Sequence, residues 1–132
     1  MTVRRIALFV LWSLLPLAGA RGEAPRATVV EIEYLLQHVG TSGCEFYRNG
    51  SWYDAVRAES HLRDKYKYLD ARHQINSAED FIDRAATKSS LSGLAYQLRC
   101  KGSAAVPSGQ WLYDALTLYR RALQKPYNAG EH

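Results

Sequence analysis

Methionine occurs once in this 132-residue chain, at its first position, and cysteine only twice. No Cys-x-x-Cys pair is present, which argues against a thiol–disulfide oxidoreductase. The four histidines, His38, His61, His73 and His132, lack metal-ligand spacing such as His-Glu-x-x-His, so neither a metal nor another cofactor is expected. The Gly-x-Ser-x-Gly elbow of α/β-hydrolases is missing as well. No internal repeat and no low-complexity segment interrupts the chain. The longest uncharged apolar run, Ile6 to Leu17, falls short of the about 20 residues that span a bilayer.

That run nevertheless sits in a recognisable frame. Arg4 and Arg5 precede it as a basic segment, and Ala18-Gly19-Ala20 follows with the small residues a signal peptidase accepts. Residues 1–20 are therefore expected to be a cleavable Sec-type signal peptide. Residues 21–132 are then one small domain, with no stable membrane span after cleavage. Cleavage weakens the charge argument too. Of the 17 basic residues two leave with the signal, so 15 face 13 acidic ones and the net charge falls from +4 to +2. So small an excess gives no electrostatic footprint for nucleic acid.

Both cysteines, Cys44 and Cys100, fall in the mature part. In an oxidising compartment an even pair forms a disulfide, here closing a loop of 56 residues. By loop entropy such a bridge stabilises the fold by ~4 kcal/mol.

The order of elements follows from periodicity and caps. Thr28 with Glu31 reads as a capping box before the stripe Ile32, Leu35, Leu36 and Val39. Cys44 to Arg48 alternates like a strand and ends at an Asn49-Gly50 turn. Ser51 with Asp54 reads as a second box opening a helix to about Leu69. Its inner face is Ala55, Ala58, Leu62, Tyr66 and Leu69. Its outer face, with Arg57, Glu59, Arg63, Asp64, Lys65 and Lys67, reads as solvated, and Glu59 is spaced to pair with Arg63. Ser77 with Asp80 starts a third helix, Tyr96 to Cys100 is a second strand, and Pro107-Ser108-Gly109 opens a last helix. The apolar stripe of that helix is Leu112, Ala115, Leu116, Tyr119 and Leu123.

A Cys44–Cys100 bridge between antiparallel strands would set Phe46 opposite Leu98 and Arg48 opposite Tyr96. All six side chains then lie on one face. The last pair could form a cation–π contact. The expected architecture is α+β, with about four helices packed on a small antiparallel two-stranded sheet and one disulfide.

The segments FYRNG at 46–50, AESHLRDKY at 58–66 and SAEDFIDRAATKSSLSG at 77–93, with the AYQLRC that follows, resemble the YfeK-like family of small bacterial envelope proteins. The resemblance runs from about Phe46 to Leu116. It implies a bacterial periplasmic protein and carries over no catalytic or binding residue.

The serine-rich loop after the third helix is the most unusual feature. Ser89, Ser90 and Ser92 could direct hydroxyls and backbone N–H groups at a ligand, with Arg48 or Lys88 supplying charge; equally, the serines could shape a helix-to-strand turn. A Ser90–His61 couple with Asp80 or Glu59 would be a hydrolytic arrangement. Ser92-Gly93-x-x-Tyr96 matches a string that some periplasmic lysozyme inhibitors insert into the enzyme cleft. The leading expectation is a non-enzymatic interaction or accessory protein of the periplasm. Its partner would be an envelope protein or a cell-wall component, met through the loop at 88–96. Exported material is expected to begin at Arg21 by mass spectrometry and to contain no titratable thiol before reduction; two reactive thiols would exclude the bridge.

Overall fold

The structure, a computed structural model, describes residues 25–126; the expected signal segment lies outside them. Helix α1 (Arg26–Gly40) leads into strands β1 (Glu45–Arg48) and β2 (Ser51–Tyr53), and helix α2 (Ala55–Asp70) follows. Helix α3 (Ala78–Phe81) then widens into a π-helical stretch, Ile82–Ala86. Strands β3 (Gln97–Arg99) and β4 (Val106–Pro107) precede helix α4 (Ser108–Gln124). The fold is α+β, but its sheet has four strands rather than two, in the antiparallel order β2-β1-β3-β4.

The central register is the expected one. Phe46 pairs with Leu98, flanked by Glu45 with Arg99 and Tyr47 with Gln97, and Cys44 is bridged to Cys100. Cys44, Phe46, Leu98 and Tyr96 are buried on the face covered by the helices. There they join Ile32, Leu35, Leu36 and Val39 of α1, Leu62 of α2, Phe81 and Ile82, and Leu112 and Leu116 of α4.

The two additional strands come from turn chemistry. Asn49 and Gly50 both take positive φ, 49° and 89°, as a two-residue primed turn requires. The turn sends residues 51–53 straight back along β1, with Arg48 opposite Ser51 and Phe46 opposite Tyr53. Ser51 is thus a strand residue and not a cap. Asp54 alone caps α2, accepting from the Arg57 amide at 2.8 Å. β4 is short and carries Pro107 on the sheet's free edge, where its missing N–H breaks no ladder.

Other expectations needed correction. Thr28 does not cap α1: the helix begins two residues earlier after Pro25, whose carbonyl accepts from the Thr28 amide. Glu31 turns to Arg120 of α4, at 2.6 Å and 3.2 Å, because a bidentate charge-assisted pair outcompetes a bond to a neutral amide. The cap at Ser77 does form, its hydroxyl accepting from the Asp80 amide, but the reciprocal half of the box does not: Asp80 accepts from the Asn76 amide, one residue before the cap. Leu123 is 67% exposed, since α4 runs on past the core beyond Tyr119, which stacks on Tyr34.

Side chains also clamp α1 to α2. Arg63 holds Glu33 at 2.8 Å and Glu59 at 2.9 Å, the latter being the expected i,i+4 pair. Gly40 lies so near Glu59 that an added Cβ would stand 1.8 Å from its carboxylate.

Because a one-residue slip would exchange the two faces of β3, neighbouring positions should respond in opposite ways. Leu98→Ala is expected to cost about 2–5 kcal/mol in chemical denaturation. Gln97→Ala, on the uncovered face, should stay within about 0.5 kcal/mol.

Candidate functional site

Helix α2 leaves the hairpin at Asp54 and returns across its inner face, opening a pocket of about 260 Å³. Strands β1 and β2 contribute Phe46, Arg48 and Tyr53 to its wall; α2 contributes Arg57, His61, Leu62 and Asp64. Tyr96 and Ser108, the first residue of α4, complete it. Arg57, His61 and Lys65 recur at intervals of four, the spacing that stacks side chains along one helix face.

The contacts inside are between cations and neutral groups. Arg48 Nη1 lies 2.6 Å from His61 Nδ1 and 3.1 Å from Nε2. A guanidinium has only donors, so the imidazole must offer a lone pair and is held neutral. Burial pushes His61 below its ordinary pKa, with the charges of Arg48 and Lys65 adding to the effect and Asp64 opposing it. His61 Nε2 is 3.3 Å from the Tyr96 hydroxyl. Lys65 Nζ donates to the Lys88 carbonyl at 2.9 Å and lies 3.5 Å from the Tyr96 hydroxyl. Burial, then Arg48, lowers the Lys65 pKa. Burial raises that of Tyr96, and Arg48 opposes it. Arg48 and Arg57 both lie over the Tyr53 ring, at 5.1 Å and 5.0 Å, and Lys65 lies over the Tyr96 ring at 5.2 Å.

Among the described residues, no carboxylate lies within 4.0 Å of Arg48, Arg57 or Lys65. Asp64, on the exposed side of α2, is the one acidic residue in the wall. Arg63 and Arg120, by contrast, each hold two carboxylates.

Of the residues singled out from the sequence, the structure gathers Arg48, His61 and Tyr96. The expected Arg48–Tyr96 cation–π pair is replaced. Tyr96 turns its backbone to Thr87 and Ser108, which ends the ladder at Tyr47–Gln97, while β2 places Tyr53 diagonally beside Arg48. Lys88 adjoins the site through its carbonyl, and its side chain is exposed. Ser89 is buried, and its hydroxyl accepts from the amides of Leu91 and Ser92. Ser92 donates to Asn49 Oδ1 at 2.6 Å, fastening the loop to the hairpin turn. Ser89 and Ser92 therefore shape the loop. Ser90 is exposed on it.

The hydrolytic arrangement is not assembled. His61 faces Arg48 and Tyr96, Glu59 is engaged by Arg63, and Asp80 accepts from the Asn76 amide. Nor is the Ser92-Gly93-x-x-Tyr96 string poised for insertion, since Tyr96 is only 6% exposed. Arg57 and Lys65 are the residues the sequence reading missed. Their four-residue spacing about His61 was the available signal.

The class is thus a small disulfide-bridged α+β domain with a basic, aromatic pocket. The chain belongs to the family of unknown function DUF5329, which matches residues 26–120. It is also 43% identical over 51 residues to the uncharacterised protein YfeK of Salmonella typhimurium, a stretch covering 39% of this chain and 41% of that protein. The chain thus matches about two fifths of the length of that relative. No solved structure matches it.

The neutral state of His61 makes stability depend on pH. Burial lowers the folded-state pKa of both His61 and His38. Between those values and the ordinary value near 6.5, the unfolded chain therefore binds more protons. Stability is expected to fall as pH drops from 7 to 5, read from urea midpoints, with a shallower slope in His61→Gln. The lowered carboxyls of Glu33 and Glu79, paired with Arg63 and Arg120, lose their contribution only below about pH 4.5.

Proposed function

We propose that this is an exported, non-enzymatic accessory protein of the bacterial periplasm that holds an envelope protein or cell-wall component at the basic pocket and the adjoining loop at 88–96. The observation carrying this reading is that Arg48 and Arg57 line one pocket, with Lys65 beside it at Tyr96, and that none of the three has a paired carboxylate among the described residues. Arg48 and Lys65 are half-buried, and bringing such charge out of water without a counter-ion costs stability; with the exposed Arg57 at the same wall, the arrangement suits a site that meets a ligand.

The loop adds an apolar edge. Leu91 is 94% exposed and Leu94 53%. Ser92 and Asn49 pin the same loop to the hairpin turn, next to Arg48 of the pocket wall. The signal-like N-terminus supports export, and the Cys44–Cys100 bridge is consistent with an oxidising compartment.

A photo-crosslinking residue placed at Leu91 or Arg57 in living cells is expected to capture the same partner or glycan adduct from both positions. One placed at Leu118, exposed on α4 away from the pocket lining, should not. Equal capture from all three positions, or none, would overturn the reading. Fluorophosphonate labelling that disappears in Ser90→Ala would overturn it in favour of a hydrolase.

A further inference from the structure

We infer that the group the pocket accepts is an oxyanion, a carboxylate or a phosphate, and that it enters together with a proton taken up by His61. The inference deepens the proposed contact site and rests on it.

The cations lining the pocket, Arg48 and Arg57, and Lys65 beside it at Tyr96, are held by weak acceptors. Arg48 donates to an imidazole, Lys65 to a backbone carbonyl, and Arg57 lies over a phenol ring. An oxyanion offers each a partner of opposite charge in place of a neutral one, and Arg in particular a geometry for paired bonds. Two arginines in one wall can also present the paired donors that fit planar or tetrahedral oxyanions. A cationic ligand is opposed by the same groups.

Proton uptake follows from the Arg48–His61 contact. His61 faces Arg48 from β1, Tyr53 from β2, Tyr96 ahead of β3, and Arg57, Asp64 and Lys65 from its own helix. While Arg48 occupies the imidazole lone pair, a proton cannot bind there. Once an oxyanion accepts the guanidinium, that lone pair is released and the nearby positive charge is offset. A proton from solvent then turns His61 into a further donor to the anion. The lowering of the His61 pKa by burial and by Arg48 accords with this order of events. Because the bound state holds the proton more tightly than the free one, anion affinity rises as pH falls.

Acetate and sulfate serve as probes, since both are largely ionised between pH 5.5 and 7.5, acetate being counted as its ionised fraction, and they separate a planar carboxylate from a tetrahedral anion. In NMR titrations of the exported protein at constant ionic strength, at least one probe is expected to shift the His61 and Arg48 signals saturably. Its Kd should be several-fold tighter at pH 5.5. Arg48→Gln, or Arg57→Gln if the former unfolds, should weaken binding about tenfold, the effect of one charge-assisted contact. His61→Gln should bind with little dependence on pH. Absence of saturable shifts with both probes, or unchanged binding in folded arginine variants, would overturn the oxyanion. Equal Kd values at the two pH values would overturn proton uptake. If crosslinking at Leu91 and Arg57 succeeds while neither probe binds, the contact site stands and its oxyanion chemistry falls. Probe binding without crosslinks gives the converse.

Discussion

Phe46 and Leu98 face each other across the central strand pair, two residues from the disulfide that joins the same two strands. That pairing sets which face of the sheet is apolar, and four helices and the core follow from it. Strand side chains alternate, so the choice also decides which residues meet α2. Arg48 shares a face with Phe46, and Tyr53 lies opposite Phe46 on the neighbouring strand. With the opposite register, Tyr47 and Trp52 would turn inward, and the pocket would lose its arginine and its aromatic wall.

Charge is distributed unevenly over this frame. Arg63 ties α1 to α2 through two glutamates, and Arg120 ties α4 to α1 and α3 through two more. These pairs are partly exposed, and each alone is worth little. Their placement at helix contacts still leaves Arg48 and Arg57 as the cations lining the cleft, with Lys65 beside it at Tyr96. One set of arginines fastens elements together; the other is positioned and left available.

How far the sequence disclosed this depends on how local the governing physics is. The β1–β3 register was legible, because one covalent link and a period of two allow a single solution. The Ser77 cap and the Glu59–Arg63 pair were legible for the same reason, being contacts within one turn of helix. Strand β2 was misread as a helix start, although Asn49-Gly50 is a strong hairpin signal; Ser51 and Asp54 fit a cap equally well, and the turn prevailed. The Thr28 box failed because Glu31 has a better partner 89 residues away in α4, which no local pattern reveals. Arg57 and Lys65 looked like an ordinary solvated face, since a missing hairpin meant a missing wall opposite them. The serine loop drew attention as a ligand cradle, yet Ser89 and Ser92 spend their hydroxyls on the loop itself.

The 56-residue separation of the bridged cysteines has a topological consequence. Arg48, Tyr53, Arg57, His61, Lys65 and Tyr96 all lie between Cys44 and Cys100, inside one covalently closed ring. A protease that nicks the ring once, at the exposed tip around Leu91 for instance, leaves both pieces joined by sulfur and still paired along β1 and β3. The pocket-forming part of the chain is therefore insured against a single cut. The stretches outside the ring, α1 and all of α4, have no such tether and are held by packing and by the ion pairs of Arg63 and Arg120.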